Sequence, residues 1–259
     1  MTARISARLL SLVLLLGVAS CTNVYEVPIE TAIEAKLDVS AFQRVLIAGF
    51  VSGGTEDLDA NTETVRLLRS QLRTKSSLRV IDADALPLSD IVAQETKAAE
   101  STATPAGKPE SALPKPIKDE KDLEAYERVF ANVDYWKRIG EEYQNPLIVT
   151  GTVLFMPNAR SGFVQREQET YDAVGRRRVV PVRAYTERKG FVLMDKFVFI
   201  DGRTGATIHS ETFREERLYS ENENTPALSS YFELMDEVLP KFLNTLSTQK
   251  VRGTRVLLK

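Results

Sequence analysis

Seven consecutive residues, Arg44 to Phe50, constrain the fold more than any other stretch of the chain. Val45, Leu46, Ile47, Ala48 and Phe50 leave neither face of an extended segment polar, the pattern of a central strand covered on both sides. Such a strand needs neighbours to pair with and layers to cover it, and the following residues supply both. A polar loop, Ser52 to Ala60, leads to Asn61 as N-cap of a helix. In that helix Val65, Leu68 and Leu72, with Leu67 beside them, make one apolar stripe. Arg66, Arg69, Arg73 and Lys75 fill its other faces, the last two near the negative C-terminal end. Leu78 to Ile81 is a second, short strand. This strand–helix–strand order is a βαβ-like unit, most simply with parallel strands.

The same grammar returns further on. Leu123, Tyr126, Phe130, Val133, Trp136 and Ile139 recur at steps of three or four, so Leu123 to Tyr143 is predicted helical, with Asn132 or Gly140 as points of interruption. Leu147 to Met156 is a strand with Val149, Gly151, Val153 and Phe155 on one side, and Pro146 fits its start. Phe191 to Ile200 is apolar on both faces apart from Asp195 and Lys196. Asp201 to Gly205 holds two glycines able to take positive φ and closes a hairpin with Ala206 to Phe213. Thr225 as N-cap and Pro226 at N1 open a last helix, with Leu228, Tyr231, Met235, Leu239, Phe242 and Leu246 as its buried stripe. Pro240 is expected to kink or split it. Val24 to Val27 and Val256 to Leu258 read as edge strands. The expected fold is α/β, an α+β-like mixed sheet flanked by helices.

Two segments depart from this grammar. Lys97 to Lys121 has four prolines, five alanines and five lysines, with only Leu113 and Ile117 as large apolar residues. It cannot bury enough surface to offset its ordering entropy, so it is read as a disordered insertion within the fold. In Ser161 to Lys189, Gln165 to Tyr171 alternates mostly polar residues, Val174-Gly175 supplies a turn, and Arg176, Arg177 and Arg178 lead into Val179, Val180, Val182 and Tyr185. That is an extended, partly exposed β-hairpin. Residues 160–189 carry eight basic and four acidic residues, in a chain whose 34 Lys+Arg against 36 Asp+Glu give a net charge of -2. The overall balance gives no field for nucleic acid. The arginine run Arg176 to Arg178 is a candidate contact patch, against the plainer reading of a charged tip that keeps an exposed edge soluble.

Catalytic and metal chemistry finds little support. Asp57, Asp59, Asn61 and Glu63 alternate as in the first half of a calcium loop, but Thr62 and Leu68 stand where it needs glycine and a bidentate acid. Gly53-Gly54 lies between strand and helix without a phosphate-loop signature. His209 is the only histidine and Cys21 the only cysteine, so zinc sites and Ser-His-Asp or Cys-His catalysis are hard to assemble. Glu215 and Glu216 stand between Arg214 and Arg217, as in a salt-bridged strand edge. The expectation is no enzyme, no cofactor and no metal.

The N-terminus addresses location. Arg4 and Arg8 precede a short apolar run, Leu9 to Leu16, which is too short to span a bilayer but suits a secretory h-region. It ends in Val18-Ala19-Ser20-Cys21, which resembles the lipobox of bacterial lipoprotein precursors. That resemblance implies cleavage before Cys21 and acylation of its thiol. Residues 1–20 then form a lipoprotein signal peptide, 21–43 a lipidated N-terminus and tether, and 44–259 one periplasmic domain with the insertion at about 97–121. No second long apolar run follows Leu16, so membrane attachment would come from the lipid. Thr22 stands where lipoproteins kept at the inner membrane typically have Asp, which favours the outer membrane, facing the periplasm.

The order of elements, with the Thr-Gly-Thr-Val phrase at Thr150–Val153 and the Asp-Gly-x-Thr-Gly hairpin at Asp201–Gly205, resembles one group of envelope proteins. These are the curli-secretion lipoprotein CsgG, the penicillin-binding-protein activator lipoprotein LpoB and the N-terminal domain of TolB. The likeness covers roughly Arg44 to Leu246 and implies partner binding or assembly rather than catalysis. A curli-type channel needs strands with an apolar outward set, yet between Phe163 and Tyr171 neither alternate set is apolar. An activator would place its long disordered segment before the fold rather than inside it. The expected function is therefore a lipid-anchored, non-enzymatic interaction or assembly factor of the envelope, binding the membrane through its lipid and an unidentified envelope protein. The alternative is an oligomeric component of an outer-membrane export complex, which leaves a homo-oligomer open.

Overall fold

The computed structural model describes residues 24–88, 91, 117–220, 223 and 225–258. Cys21, the signal peptide and residues 97–116 of the insertion lie outside them. The strands are β1 Val24–Ile33, β2 Arg44–Gly54, β3 Arg79–Ile81, β4 Leu147–Tyr171, β5 Arg177–Asp201, β6 Thr207–Tyr219 and β7 Gln249–Leu258. The main helices are α1 Ala60–Lys75, α2 Val133–Glu142 and α3 Ala227–Leu246. Two compact units divide the chain, Ala35–Ser247 and the two end segments. In the second, β1 and β7 form an antiparallel ribbon from Val24 opposite Leu258 to Ile33 opposite Gln249. The two suggested edge strands are thus partners of each other.

The larger unit is built on a five-stranded mixed sheet in the order β3-β2-β4-β5-β6. The β3–β2 and β2–β4 pairs are parallel, and β4–β5 and β5–β6 antiparallel. The mixed α/β architecture, the βαβ unit and the hairpin at Asp201 are as the sequence predicts. One sheet face packs under α1 and α3 and the other under the helical segment 120–142. Each buried Leu, Val, Ile or Phe along these faces contributes about 1.5–3 kcal/mol.

A bulge in β2 explains how its apolar run serves both layers. Val45 and Ile47 face the α1/α3 layer and Leu46 and Ala48 the other. The register to β4 then shifts between Ile47 and Gly49, which returns Phe50 to the α1/α3 side. The polar groups this releases are taken up locally. Asn61 Oδ1 accepts the Phe50 N–H at 2.8 Å, and Thr150 Oγ1 donates to the Gly49 carbonyl at 2.8 Å. Asn61 is therefore committed to the sheet. The N-cap of α1 is Asp59 instead, accepting from the Thr62 N–H at 3.1 Å.

Other boundaries shift for similar reasons. The predicted helix over 123–143 is a short helical run, Glu120–Phe130, followed by α2, and Asn132 caps α2 by accepting from the Tyr135 N–H at 3.1 Å. The break turns Val133 outward, 46% exposed, while Val129 and Trp136 are buried. Trp136 donates its indole N–H to the Val129 carbonyl at 2.7 Å. Ile117, inside the stretch read as an insertion, is buried, and its carbonyl accepts the Gly54 N–H at 2.9 Å. The N-cap of α3 is Pro226 rather than Thr225, and the 20-residue helix runs unbroken through Pro240, because buried residues on both sides of it hold both halves on the sheet. Leu228 lies off that stripe, 46% exposed.

Candidate functional site

The strands β4 and β5 pair without interruption from Leu147 opposite Asp201 to Tyr171 opposite Arg177. Their inner halves are core. β2 accompanies β4 only as far as Phe155, and β6 accompanies β5 only from Lys189 to Ile200. Beyond these points the hairpin has no other strand beside it among the described residues. At about 3.3 Å per residue the outer ribbon is about 50 Å long. The predicted exposed hairpin is thus the outer half of two 25-residue strands.

The turn is closed by the Asp172 N–H to the Arg176 carbonyl at 2.9 Å and the Gly175 N–H to the Asp172 carbonyl at 2.9 Å. Asp172 also accepts from the Val174 and Arg176 N–H groups at 3.0 and 2.9 Å. The Arg176 backbone bond comes first among the causes that hold its carboxyl below the usual range. The three arginines of the candidate patch do sit here, all exposed, but they do not form one patch. Arg176 pairs with Asp172 at 3.2 Å and Arg177 with Glu169 across the ribbon. Arg178 points to the opposite face from Arg177, since neighbours in a strand alternate.

One face of the ribbon carries the odd-numbered residues. There Phe163 and Tyr185, 75% and 61% exposed, meet edge to face with ring centroids 5.4 Å apart. At the base of the same face lies a cleft of about 610 Å³. Pro157, Ala159 and Phe191 contribute its apolar lining, and Glu187, Lys189 and Glu223 its charges. Phe191 is fixed by stacking on buried Phe155 at 4.7 Å. Tyr219, on the far wall, is held by its hydroxyl donating to Glu233 of α3 at 3.0 Å. The sequence pattern shows the hairpin but not the cleft, whose walls come from β4, β5, the end of β6 and the segment before α3.

A smaller hollow of about 370 Å³ lies against residues 120–127, with Glu120, Glu124, Glu127 and Lys196 around it. Lys196 there pairs with Glu127. Asp195, the other exception in the apolar strand, points the opposite way. It is fully buried, and neither carboxylate oxygen has a hydrogen-bond partner. Burial first, and then the charge of Glu215, pushes its carboxyl well above the usual range. His209 lies over Phe199 with Glu211 3.6 Å from its Nε2. Among the described residues no three His, Cys, Asp or Glu side chains are grouped to hold a metal. Among them, too, no helix is long and apolar enough to cross a membrane.

No family model matches the chain, and no curated protein matches it. Among solved structures it is similar to lipoprotein GNA1162 of Neisseria meningitidis, at 11% identity over 78% of this chain and 98% of that one, with a TM-score of 0.34. It is similar also to a PelC dodecamer subunit of Paraburkholderia phytofirmans, at 12% identity over 87% and 100% of the two chains, TM-score 0.35. A third is a neuraminyllactose-binding hemagglutinin homolog of Helicobacter pylori, at 12% identity over 85% and 92%, TM-score 0.35.

Proposed function

We propose that this protein is a lipid-anchored, non-enzymatic interaction or assembly factor of the bacterial envelope, which grips a protein partner with the odd-numbered face of its long hairpin. The observation that carries the reading is the exposed Phe163–Tyr185 pair on the same face as the cleft floored by Phe191. Exposed aromatic side chains beside a preformed hollow are the usual anchors of protein interfaces. The lipobox-like Val18–Cys21 and the resemblance to the CsgG, LpoB and TolB group support the anchor, the outer-membrane location and the absence of catalysis. Cys21 is the acylated residue. Growth with labelled palmitate should label the chain, and Cys21→Ser should abolish the label; label retained by Cys21→Ser contradicts the anchor. Extraction in mild detergent after brief crosslinking tests the rest. A single copy with one defined envelope protein supports the adaptor reading, and a chain that recovers no protein partner opposes it.

A second reading is favoured by the free edges of the outer ribbon. Among the described residues, 157–171 of β4 and 177–188 of β5 pair as strands only with each other, so successive copies could extend the sheet into the ring of an export complex. Discrete rings in detergent would support it, and a strict monomer would remove it.

A further inference from the structure

Continuous register lets the outer hairpin be sorted by face, and the sorting confines its carboxylates to one side. Glu167, Glu169 and Glu187 all fall on the odd-numbered face, with the aromatic pair and with Arg177 and Arg183. The even-numbered face carries Arg160, Arg166, Arg178 and Arg188 and no carboxylate at any even position from 158 to 170 or from 178 to 188. Arg160 stands directly opposite Arg188, and Arg166 opposite Val182. Arg160 is paired with Glu216 of β6 at 2.7 Å. The other three form no ion pair among the described residues. Between Arg188 and Arg178 aliphatic residues interleave with polar ones, Val164 opposite Ala184, Arg166 opposite Val182 and Gln168 opposite Val180. One side of the ribbon is therefore a long basic surface without carboxylates and with valines between its arginines, and the run Arg176–Arg178 contributes only Arg178 to it.

We infer that the even-numbered face of the outer hairpin docks on a layer of anionic phospholipid headgroups. This rests on the reading of the hairpin as the contact element and assigns its second face. Guanidinium groups at both ends would reach lipid phosphates, while the valines between them sit at the edge of the acyl region. A soluble acidic chain would gain from the arginines but nothing from the valines. The odd-numbered face, with its carboxylates and aromatics, stays turned away from the lipid toward a protein.

The test uses the full chain with Val182→Cys or, on the other face, Glu167→Cys, labelled with a polarity-sensitive fluorophore; the unsubstituted chain gives the background. It is placed in phosphatidylcholine vesicles with or without roughly one-third phosphatidylglycerol. The probe at 182 should shift to the blue only with phosphatidylglycerol, and the probe at 167 should not move. Replacing Arg166, Arg178 and Arg188 with Ser should lower the docked-to-free ratio on the order of 100-fold, as should high salt to a lesser degree. These side chains are exposed and outside the core, so folding is not at stake. No shift at 182, or an equal shift in phosphatidylcholine alone, overturns the inference. An equal shift with soluble polyglutamate and no vesicles also overturns it, in favour of an acidic polymer. If the lipid result fails while a crosslinker at Tyr185 still traps a protein partner, only the lipid assignment falls.

Discussion

Gly151 shows what one residue settles in this fold. Its φ of +148° lies in the region that side chains avoid, and a Cβ there would come within 1.7 Å of the Lys196 carbonyl oxygen of β5. The glycine lets the two central strands approach at the point where Phe50 and Phe197 flank it. Gly151→Ala should cost about 2–4 kcal/mol, read by urea unfolding. The Thr150–Val153 phrase is visible in the sequence, but the reason for its glycine is not, because the clash is with a residue 45 positions away. Asp195 is the same lesson in charge. The sequence marks it as an exception in an apolar strand; only the fold reveals that it is sealed in, below α3. The groups that face it are Glu215 of β6, paired with Lys241 of α3, and the Tyr231 hydroxyl of α3. Because its folded carboxyl holds a proton that the unfolded chain releases near pH 4, the burial costs least below that pH. The cost grows as pH rises from there toward the raised folded value. Asp195→Asn should therefore lose less stability than the parent between pH 4 and pH 8 and exceed it in urea at pH 8. Parallel pH profiles would contradict this.

At the scale of elements, apolar periodicity reports which segments are buried, and most helices and strands follow it. What it misses are junctions. Asn61 looks like a helix cap by position, yet its amide is claimed by the Phe50 N–H that the β2 bulge sets free. Val133 fits the helical stripe only if Asn132 does not end a turn, and Asn132 does. The hairpin is legible as two alternating segments and a turn, but its continuity with the core strands follows from the register. That continuity gives a direct prediction. Replacing residues 160–188 with Asn-Gly joins Ala159 to Lys189, which already stand opposite each other. Since the excised residues contribute nothing to either core cluster, the unfolding free energy should change by less than about 1 kcal/mol. A larger loss in thermal or urea unfolding would mean that the outer ribbon supports the sheet.

For the whole molecule, the near-neutral charge of -2 conceals an uneven distribution, with the carboxylates of the outer strands on one face of the ribbon and, on the other, four arginines of which three form no ion pair among the described residues. Counting charges along residues 160–189 finds the excess, but only strand pairing shows which face carries it. In the proposed function the larger unit is a scaffold that holds out a two-sided hairpin, with its aromatic side as the protein contact. A photo-activated crosslinker placed at Tyr185 in living cells tests this most directly, compared with one at Arg79 on the short β3 strand, away from the ribbon. One defined envelope protein should be trapped from position 185 and not from 79, and that protein should no longer co-purify with the chain in which residues 160–188 are replaced by Asn-Gly. Equal trapping from both positions, or none from 185 in a chain that still recovers its partner, would contradict it.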